Sequence, residues 1–332
     1  MYIWYCVGGV GMVVKMQVRS CLAKDYAVAF DYLADDFFRG LRELRFRVDK
    51  PIILEHESGE FYLSPLGLTQ EVRRAIRASY VGIGESVELI CNHSAYAYEG
   101  ELAAGYVTIA GGHRVGITGR AIVEGGKVRG LRNVSGLSFR IAREAKGCAN
   151  DVVMEIVKGH EVLHSMVISP PGYGKTTLLR DIVRQLSDGS LKVGLGGVAV
   201  GLVDERSEVA GCYLGTPQND VGLRTDVLDA CPKAEGMVML LRSMSPRVVA
   251  VDEVGSEEDA MAIAEAANAG VTVICTAHGR CVDDIWKRPR LKGLKDIFDR
   301  YVVLDGIGSY RVVDKEGNVL RCTALKHTKE GT

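Results

Sequence analysis

No stretch of this 332-residue chain offers the roughly 20 consecutive apolar residues that a membrane-spanning helix needs. The start, "MYIWYCVGGVGMVV" (residues 1–14), is almost wholly apolar but too short to cross a bilayer. Its three glycines weaken it as a helix, and it lacks the positive start of a secretory signal. Residues 1–16 are therefore expected to be an upstream extension, with Met12 or Met16 as the start, in preference to an anchor, a weak peripheral membrane contact being the alternative left open. No cysteine pair has C-x-x-C spacing. The nine cysteines are odd in number and dispersed, which argues against a disulfide framework and fits a reducing compartment. A zinc motif is missing too. His160 and His164 are four apart, but the residues between them do not read H-E-x-x-H and no cysteine pair completes a site. They are expected to flank or begin a strand. Charge of one sign is not in excess: 41 basic and 42 acidic residues give a net −1, so the chain as a whole has no pull toward nucleic acid or an anionic membrane. Long linkers, internal repeats and low-complexity tracts are also absent. The length suits two domains.

What is present falls into two textures. Residues 17 to about 50 carry helix-like apolar spacing, as in Phe30, Leu33, Phe37, Phe38, Leu41 and Leu44. In "ELRFRVDKPIIL" the alternation of Leu44, Phe46 and Val48 with charged residues predicts a half-buried strand. A helix is expected near "LTQEVRRAIRASY" (68–80). From Gly105 to Ile141 the chain is glycine-rich and alternating, with Gly111-Gly112 and Gly125-Gly126 where hairpin turns belong. The first half thus reads as α+β on an antiparallel sheet, over residues 17–150. From residue 151 to 332, short apolar strands alternate with amphipathic helices. Strands are expected at 162–169, 198–205, 247–253 and 271–278, and helices at 175–186, 232–244 and 256–269, the last stopped by Gly270. That alternation predicts an α/β domain with a mainly parallel sheet covered on both faces. The boundary is expected between residues 143 and 158.

The string "VISPPGYGKTTLLR" (167–180) has the form of a phosphate-binding loop, G-x-x-x-x-G-K-[ST], with Ser169 in place of the first glycine. A buried strand leads in, a glycine-containing turn follows, and a helix begins at the lysine, so backbone N–H groups face an anion. Pro170 and Pro171 stiffen the turn, and Gly172 and Gly174 keep the backbone adaptable beside the ligand. The expected ATP contacts are Pro171, Gly172, Tyr173, Gly174, Lys175, Thr176 and Thr177. Lys175 neutralises the β and γ phosphates, and the Thr176 hydroxyl meets Mg²⁺. "RVVAVDEV" ends an apolar strand in Asp252-Glu253, on the sheet end where ligands bind in open α/β folds. Asp252 is expected to hold Mg²⁺ and Glu253 to polarise the attacking water. In "LVDERSEVAG" the cluster Asp204, Glu205, Arg206 and Glu208 reads either as a second catalytic carboxylate or as a solvated turn, and the sequence leaves both open. His278 in "ICTAHG" reads as a γ-phosphate sensor or as a structural histidine. Among Arg140, Arg143, Arg224, Arg242, Arg280, Arg288 and Arg290, the sequence does not single out a finger for the transition state.

In the order of its motifs the second half resembles the ATPases of type II and type IV secretion and pili. It carries the loop, an acidic box (Asp204-Glu205), paired carboxylates (Asp252-Glu253) and a histidine box (His278). The strings "ELRFRVDKP", "CNHSAYAYEGEL", "GYVTIAGGHRVGITGRA", "FRIAREAKGCA", "SPPGYGKTTLLRD", "VDERSEVAG", "GLRTDVLDACPKAEGMVMLLRSMSPRVVAVDEVG" and "TAHG" bring it closer to the stage III sporulation AA family of endospore-forming bacteria. The resemblance covers residues 30 to 315. It implies a RecA-like P-loop NTPase domain, and makes Ser169 an ordinary feature of the loop. It also implies ATP hydrolysis with Mg²⁺, catalysed through Glu253, Glu205 and Lys175, with His278, Arg140 and Arg143 near the nucleotide. Further implications are a hexameric ring and a cytoplasmic location tied to a membrane through partners. The implied task is to energise a channel-like complex through stage III sporulation protein AB or a related membrane protein.

Two other readings compete. One is a nucleic-acid-acting ATPase. The tail "RVVDKEGNVLRCTALKHTKEGT" lacks the R-x-x-x-H signature of relatives with a single-strand-binding module, and the net charge opposes it, so nucleic acid is not the expected partner. The basic run "KRPRLKGLK" (287–295) is the contrary sign. The other is an ATP-binding scaffold with little turnover, which intact Lys175, Thr176, Asp252 and Glu253 disfavour.

Overall fold

The computed structural model describes residues 10–94 and 98–323. The first nine residues of the apolar start, three residues of "CNHSAYAYEGEL" and the end of the tail lie outside them. The chain divides into two compact units that meet at Arg143 and Glu144.

The first unit opens with three short helices, α1 (Val10–Arg19), α2 (Lys24–Asp31) and α3 (Phe37–Gly40). α1 includes the last part of the apolar start with Gly11 inside it, while Gly8 and Gly9 lie outside the described residues. A Cβ at Gly11 would sit 2.0 Å from the Asp35 carbonyl oxygen, so the missing side chain is what lets α1 pack there, with Val14 and Val18 buried. Seven strands follow as one antiparallel sheet: β1 (Leu41–Arg47), β2 (Ile53–His56), β3 (Gly59–Ser64), β4 (Gly67–Thr69), β5 (Tyr106–Ile109), β6 (His113–Glu124) and β7 (Lys127–Arg140). Their order is β4-β3-β2-β1-β7-β6-β5. β1 alternates as its sequence predicts, burying Leu44 and Phe46 beside Phe30, Phe38 and Phe139. Both glycine pairs turn hairpins with positive φ, at +84° and +72° for Gly111-Gly112 and +56° and +77° for Gly125-Gly126.

The helix expected near residues 68–80 is reduced to one 3-10 turn, Val72–Arg74. Leu68, Val72 and Ile76 imitate helical spacing, but the backbone of this stretch is committed elsewhere. Ile76 N–H donates to Leu63 O at 2.8 Å and Ala78 N–H to Lys50 O at 3.0 Å. The helix that does form, α4 (Tyr80–Ile90), starts where Ser79 caps it by accepting from Gly82 N–H at 3.0 Å. α5 (Glu99–Ala104) precedes the glycine-rich hairpins.

The second unit begins with α6 (Asn150–Ile156) and the two-residue ladder β8 (Val157–Lys158) with β9 (Glu161–Val162). It continues through β10 (Ser165–Ser169), α7 (Lys175–Asp188) and a second small ladder, β11 (Gly189–Ser190) with β12 (Leu195–Gly196). Next come β13 (Val200–Asp204), β14 (Thr225–Asp229), α8 (Lys233–Ser243), β15 (Val248–Val251), α9 (Glu257–Asn268), β16 (Thr272–His278) and α10 (Val282–Trp286). β17 (Arg300–Gly306), β18 (Ser309–Asp314) and β19 (Val319–Thr323) close it. The main sheet runs β14-β13-β15-β16-β10-β17-β18-β19, parallel through β17 and antiparallel beyond. The strands of its centre, β13, β15 and β10, are buried along their whole length, as expected for a sheet covered on both faces. α9 is fixed by a capping box between Ser256 and Asp259 and ends before Gly270, whose φ is +78°. β14 and the run β17–β19 extend the sheet beyond the four strands expected. His164 precedes β10, and its Nδ1 accepts Val273 N–H at 3.1 Å, a structural use of that histidine.

In the first unit, His113 is buried between Gln17, 3.0 Å from its Nε2, and Ala142 N–H, which donates to its Nδ1 at 3.0 Å. Burial pushes its pKa from 6.5 down to about 4. The unfolded chain therefore takes up a proton that the folded chain refuses. This contribution to stability is complete above the unfolded value and is lost as pH falls from 6.5 toward 4. Urea unfolding across that window is expected to show declining stability in the wild type and a flatter dependence in His113→Gln.

Candidate functional site

β10 ends at the buried Ser169, whose hydroxyl donates to the Pro170 carbonyl at 2.8 Å and whose own carbonyl accepts Gly279 N–H at 3.2 Å. The chain then turns through Pro170–Gly174 with φ of +81° at Gly172 and +87° at Gly174. Open space surrounds both glycines, so conformation and not crowding requires them. Pro171 and Tyr173 are exposed on the turn. α7 begins at Lys175 with no side-chain cap at its N-terminus. Its first-turn N–H groups are thus left to an external acceptor, and the helix dipole favours an anion there. Lys175 is buried, with 8% exposure, and Thr176 and Thr177 are half-buried.

Across from the turn, β15 delivers Asp252 and Glu253. The Thr176 hydroxyl donates to Asp252 Oδ2 at 2.8 Å, joining the turn to the acidic strand end. The other Asp252 oxygen accepts the hydroxyl of Thr276, a buried residue on the neighbouring β16. Thr276 Oγ1 in turn accepts Glu253 N–H at 2.8 Å, and Val254 N–H donates to Thr276 O at 2.8 Å. Glu253 is held at φ +57°, a left-handed conformation that costs a non-glycine residue about 1 kcal/mol or more. Its carboxylate lies between two partners, with His278 Nε2 at 3.0 Å from Oε1 and Arg206 Nη1 donating to Oε2 at 2.7 Å. His278 is fixed from behind by Arg288, which donates to its carbonyl at 2.6 Å. Thr276 is the residue here to which sequence reasoning assigns no role, and Arg288, one of the arginines weighed as a finger, is spent on the His278 carbonyl. A single threonine in a strand carries no motif, and its position follows only from the pairing of β15 with β16.

The acidic cluster after β13 divides its labour. Asp204 is buried, and its carboxylate accepts the N–H groups of Glu208, Val209 and Ala210 at 2.9, 3.0 and 2.8 Å. Burial nevertheless pushes its pKa up to about 6, against the pull of those N–H donors. Arg180 on α7 clasps the same turn, donating to Val209 O at 2.5 Å and Glu208 O at 2.7 Å. Glu205 faces outward, paired with Lys233 at the start of α8. Asp204, Glu205, Arg206, Lys233, Asp252 and Glu253 line one cleft. Asp204 thus builds the turn from a buried position rather than a solvated one, and Glu205 lies among the carboxylates of the cleft.

Arg140 and Arg143 belong to the first unit. Arg140 ends β7 opposite Glu43 of β1 and Arg114 of β6. Arg143 donates to Leu41 O at 3.1 Å and stands 3.7 Å from Glu57.

The oxygens of Thr176 and Asp252 are hard donors suited to Mg²⁺, which is held by one or two protein ligands with substrate phosphates rather than by an all-protein cage. Among the described residues no group of three or more His, Cys, Asp or Glu side chains forms such a cage.

A model of the family described as sporulation stage III, protein AA, matches residues 15–319. Stage III sporulation protein AA of Bacillus subtilis (strain 168) is 43% identical over 321 residues, spanning 93% of this chain and 99% of its own length. Protein SEEDLING PLASTID DEVELOPMENT 1 of Arabidopsis thaliana is 30% identical over 196 residues, which are 57% of this chain and 26% of that protein. The ATPase DotB of Legionella pneumophila superposes with a TM-score of 0.52 at 18% identity, over 79% of this chain and 71% of that one. The pilus retraction motor PilT, solved with bound ADP, gives a TM-score of 0.52 at 14% identity, over 79% and 74%. At such identities these two structures establish the fold, a RecA-like P-loop domain. The family match and the near full-length relative establish more: the chain belongs to the sporulation stage III protein AA family.

Proposed function

We propose that this chain is an ATP-hydrolysing motor of the secretion-ATPase type, which energises a membrane-associated channel during endospore formation. The hydrogen bond from Thr176 to Asp252 carries the reading, because it joins an anion-binding helix start to a carboxylate pair across the sheet. Glycines at left-handed φ, an uncapped α7 and Lys175 suit the phosphates of ATP. Thr176 and Asp252 would hold Mg²⁺, which supplies positive charge to the β and γ phosphoryl oxygens.

The chain's own residues would do the remaining work. Glu253 orients and polarises the attacking water from a backbone held at left-handed φ. His278 and Arg206 fix that carboxylate. Glu205 adds a second carboxylate to the cleft, with Lys233 holding it. In this reading Pro171, Tyr173 and Thr177 border the nucleotide, and Arg140 and Arg143 contribute positive charge when subunits assemble. A homo-hexameric ring would complete each site and convert turnover into movement of a membrane partner, stage III sporulation protein AB or a relative. No helix among the described residues is long and apolar enough to cross a membrane.

Mg²⁺-dependent ATP hydrolysis, measured at several protein concentrations, tests the reading. Turnover per subunit is expected to rise with concentration. Glu253→Gln should lower kcat about a hundredfold or more while ATP binding persists. Lys175→Ala should weaken ATP binding at least about tenfold. Wild-type protein that binds ATP tightly and never turns it over would sink the motor and leave a scaffold. Thr276→Val is a sharper probe of the geometry, since it keeps the side-chain volume but removes the hydroxyl shared by Asp252 and Glu253. It should lower kcat about tenfold or more with little change in nucleotide affinity, and an unchanged kcat would remove Thr276 from the machinery.

A further inference from the structure

The β6–β7 ribbon outruns the sheet that carries it. β5 pairs with β6 only from His113 to Gly116, and β1 with β7 only from Gly136 to Arg140. Farther out the two strands pair with each other. Leu131 and Val134 still pack against the core of the first unit, but Ala121 through Arg129 are exposed.

Two features of this tip do nothing for the fold. Arg120 and Arg132 stand directly opposite one another, an arrangement that destabilises an antiparallel pair. With Lys127 and Arg129 they set four cations against the one carboxylate of Glu124. Between them sit three branched aliphatic side chains in water: Ile122, Val123 and Val128 are 39%, 59% and 46% exposed, and the two valines face each other across the ribbon. An acceptor for this surface must be anionic and must also take up apolar atoms. Single-stranded nucleic acid asks for stacking side chains, and residues 120–132 contain no aromatic residue. A duplex groove would leave the aliphatic groups in water. The headgroup region of an anionic bilayer satisfies both demands, with apolar groups at the acyl boundary and cations at lipid phosphates.

We propose that the tip of the β6–β7 ribbon is a docking surface for an anionic lipid bilayer, formed by Arg120, Lys127, Arg129 and Arg132 around Ile122, Val123 and Val128. The proposal is independent of nucleotide hydrolysis.

Co-sedimentation of the full chain with vesicles tests it. The wild type should bind phosphatidylcholine vesicles that contain phosphatidylglycerol, ignore vesicles of phosphatidylcholine alone, and be released by high salt. Lys127→Glu combined with Arg129→Glu should lower binding at least about tenfold. Val123→Ser with Val128→Ser should also lower it, and ATP binding should be unchanged in both. Should either double variant unfold, Arg129→Gln alone probes the same contact at the ribbon's irregular register. Equal binding to neutral and anionic vesicles, binding to neither, or unchanged binding in the variants overturns the proposal. It is also overturned if an oligonucleotide binds through these residues while vesicles do not, or if the variants lose self-association but keep their vesicle binding.

Discussion

The Thr276 hydroxyl is the point on which the candidate site turns. It donates to Asp252 and accepts from the backbone of Glu253, so one oxygen sets both carboxylates. Asp252 then reaches the Thr176 hydroxyl on α7. The chain of bonds crosses three adjacent elements of the sheet layer, because β16 lies between β15 and β10. In this order the phosphate-type turn and the carboxylates are bridged by the intervening β16, which carries Thr276. The parallel pairing of Ser169 with His278 brings the histidine to the same sheet end, beside Glu253. Buried strands supply the rigidity, and the polar groups concentrate at their C-terminal ends, where ligands bind in open α/β sheets.

A second support comes from a carboxylate that does not face the cleft. Asp204 ends β13 and closes the following turn by accepting three backbone N–H groups. Arg180 holds that turn's carbonyls from α7. The turn carries Arg206, which reaches Glu253. α7 is therefore joined, through this turn, to the side chain that pairs with the Glu253 carboxylate. The link has a cost. Burial raises the Asp204 pKa to about 6 despite its donors. For a carboxyl raised in the folded state, the proton is held more tightly folded than unfolded, so its contribution declines as pH climbs from 3.8 to about 6. The turn geometry is kept at the expense of a charged group held away from water.

Much of this was legible in residues alone, for reasons that differ by element. The loop at 169–177 announces itself because its backbone conformation demands glycines at fixed places before a lysine. β15 announces itself because a fully buried strand must be continuously apolar until it reaches the acidic pair. The hairpins at Gly111 and Gly125 are read from the same need for positive φ. The stretch from 68 to 80 misled because side-chain spacing says nothing about where backbone N–H groups are spent, and here they pair with Lys50 and Leu63. β14 was passed over because an edge strand with half-buried Thr225, Val227 and Leu228 between acidic residues has no clear period. Thr276 and the left-handed Glu253 were invisible for a deeper reason. Their roles arise between strands distant in sequence, and neither residue type is unusual at its own position.

The same distinction applies to charge. A net charge of −1 describes the chain as seen from far away. At physiological salt, fields fade over roughly 10 Å, so a partner meets only the nearest side chains. On the β6–β7 tip those are four cations and one carboxylate, set among exposed aliphatic groups. Elsewhere the balance is restored by paired charges, such as Arg184 with Asp181 and Lys146 with Asp220, whose fields largely cancel. A near-neutral total thus includes compensated pairs such as these alongside a tip with a net positive charge. The like-charged pair of Arg120 and Arg132 weakens the ribbon that carries it, and relief of that repulsion is available to any anion that settles between them.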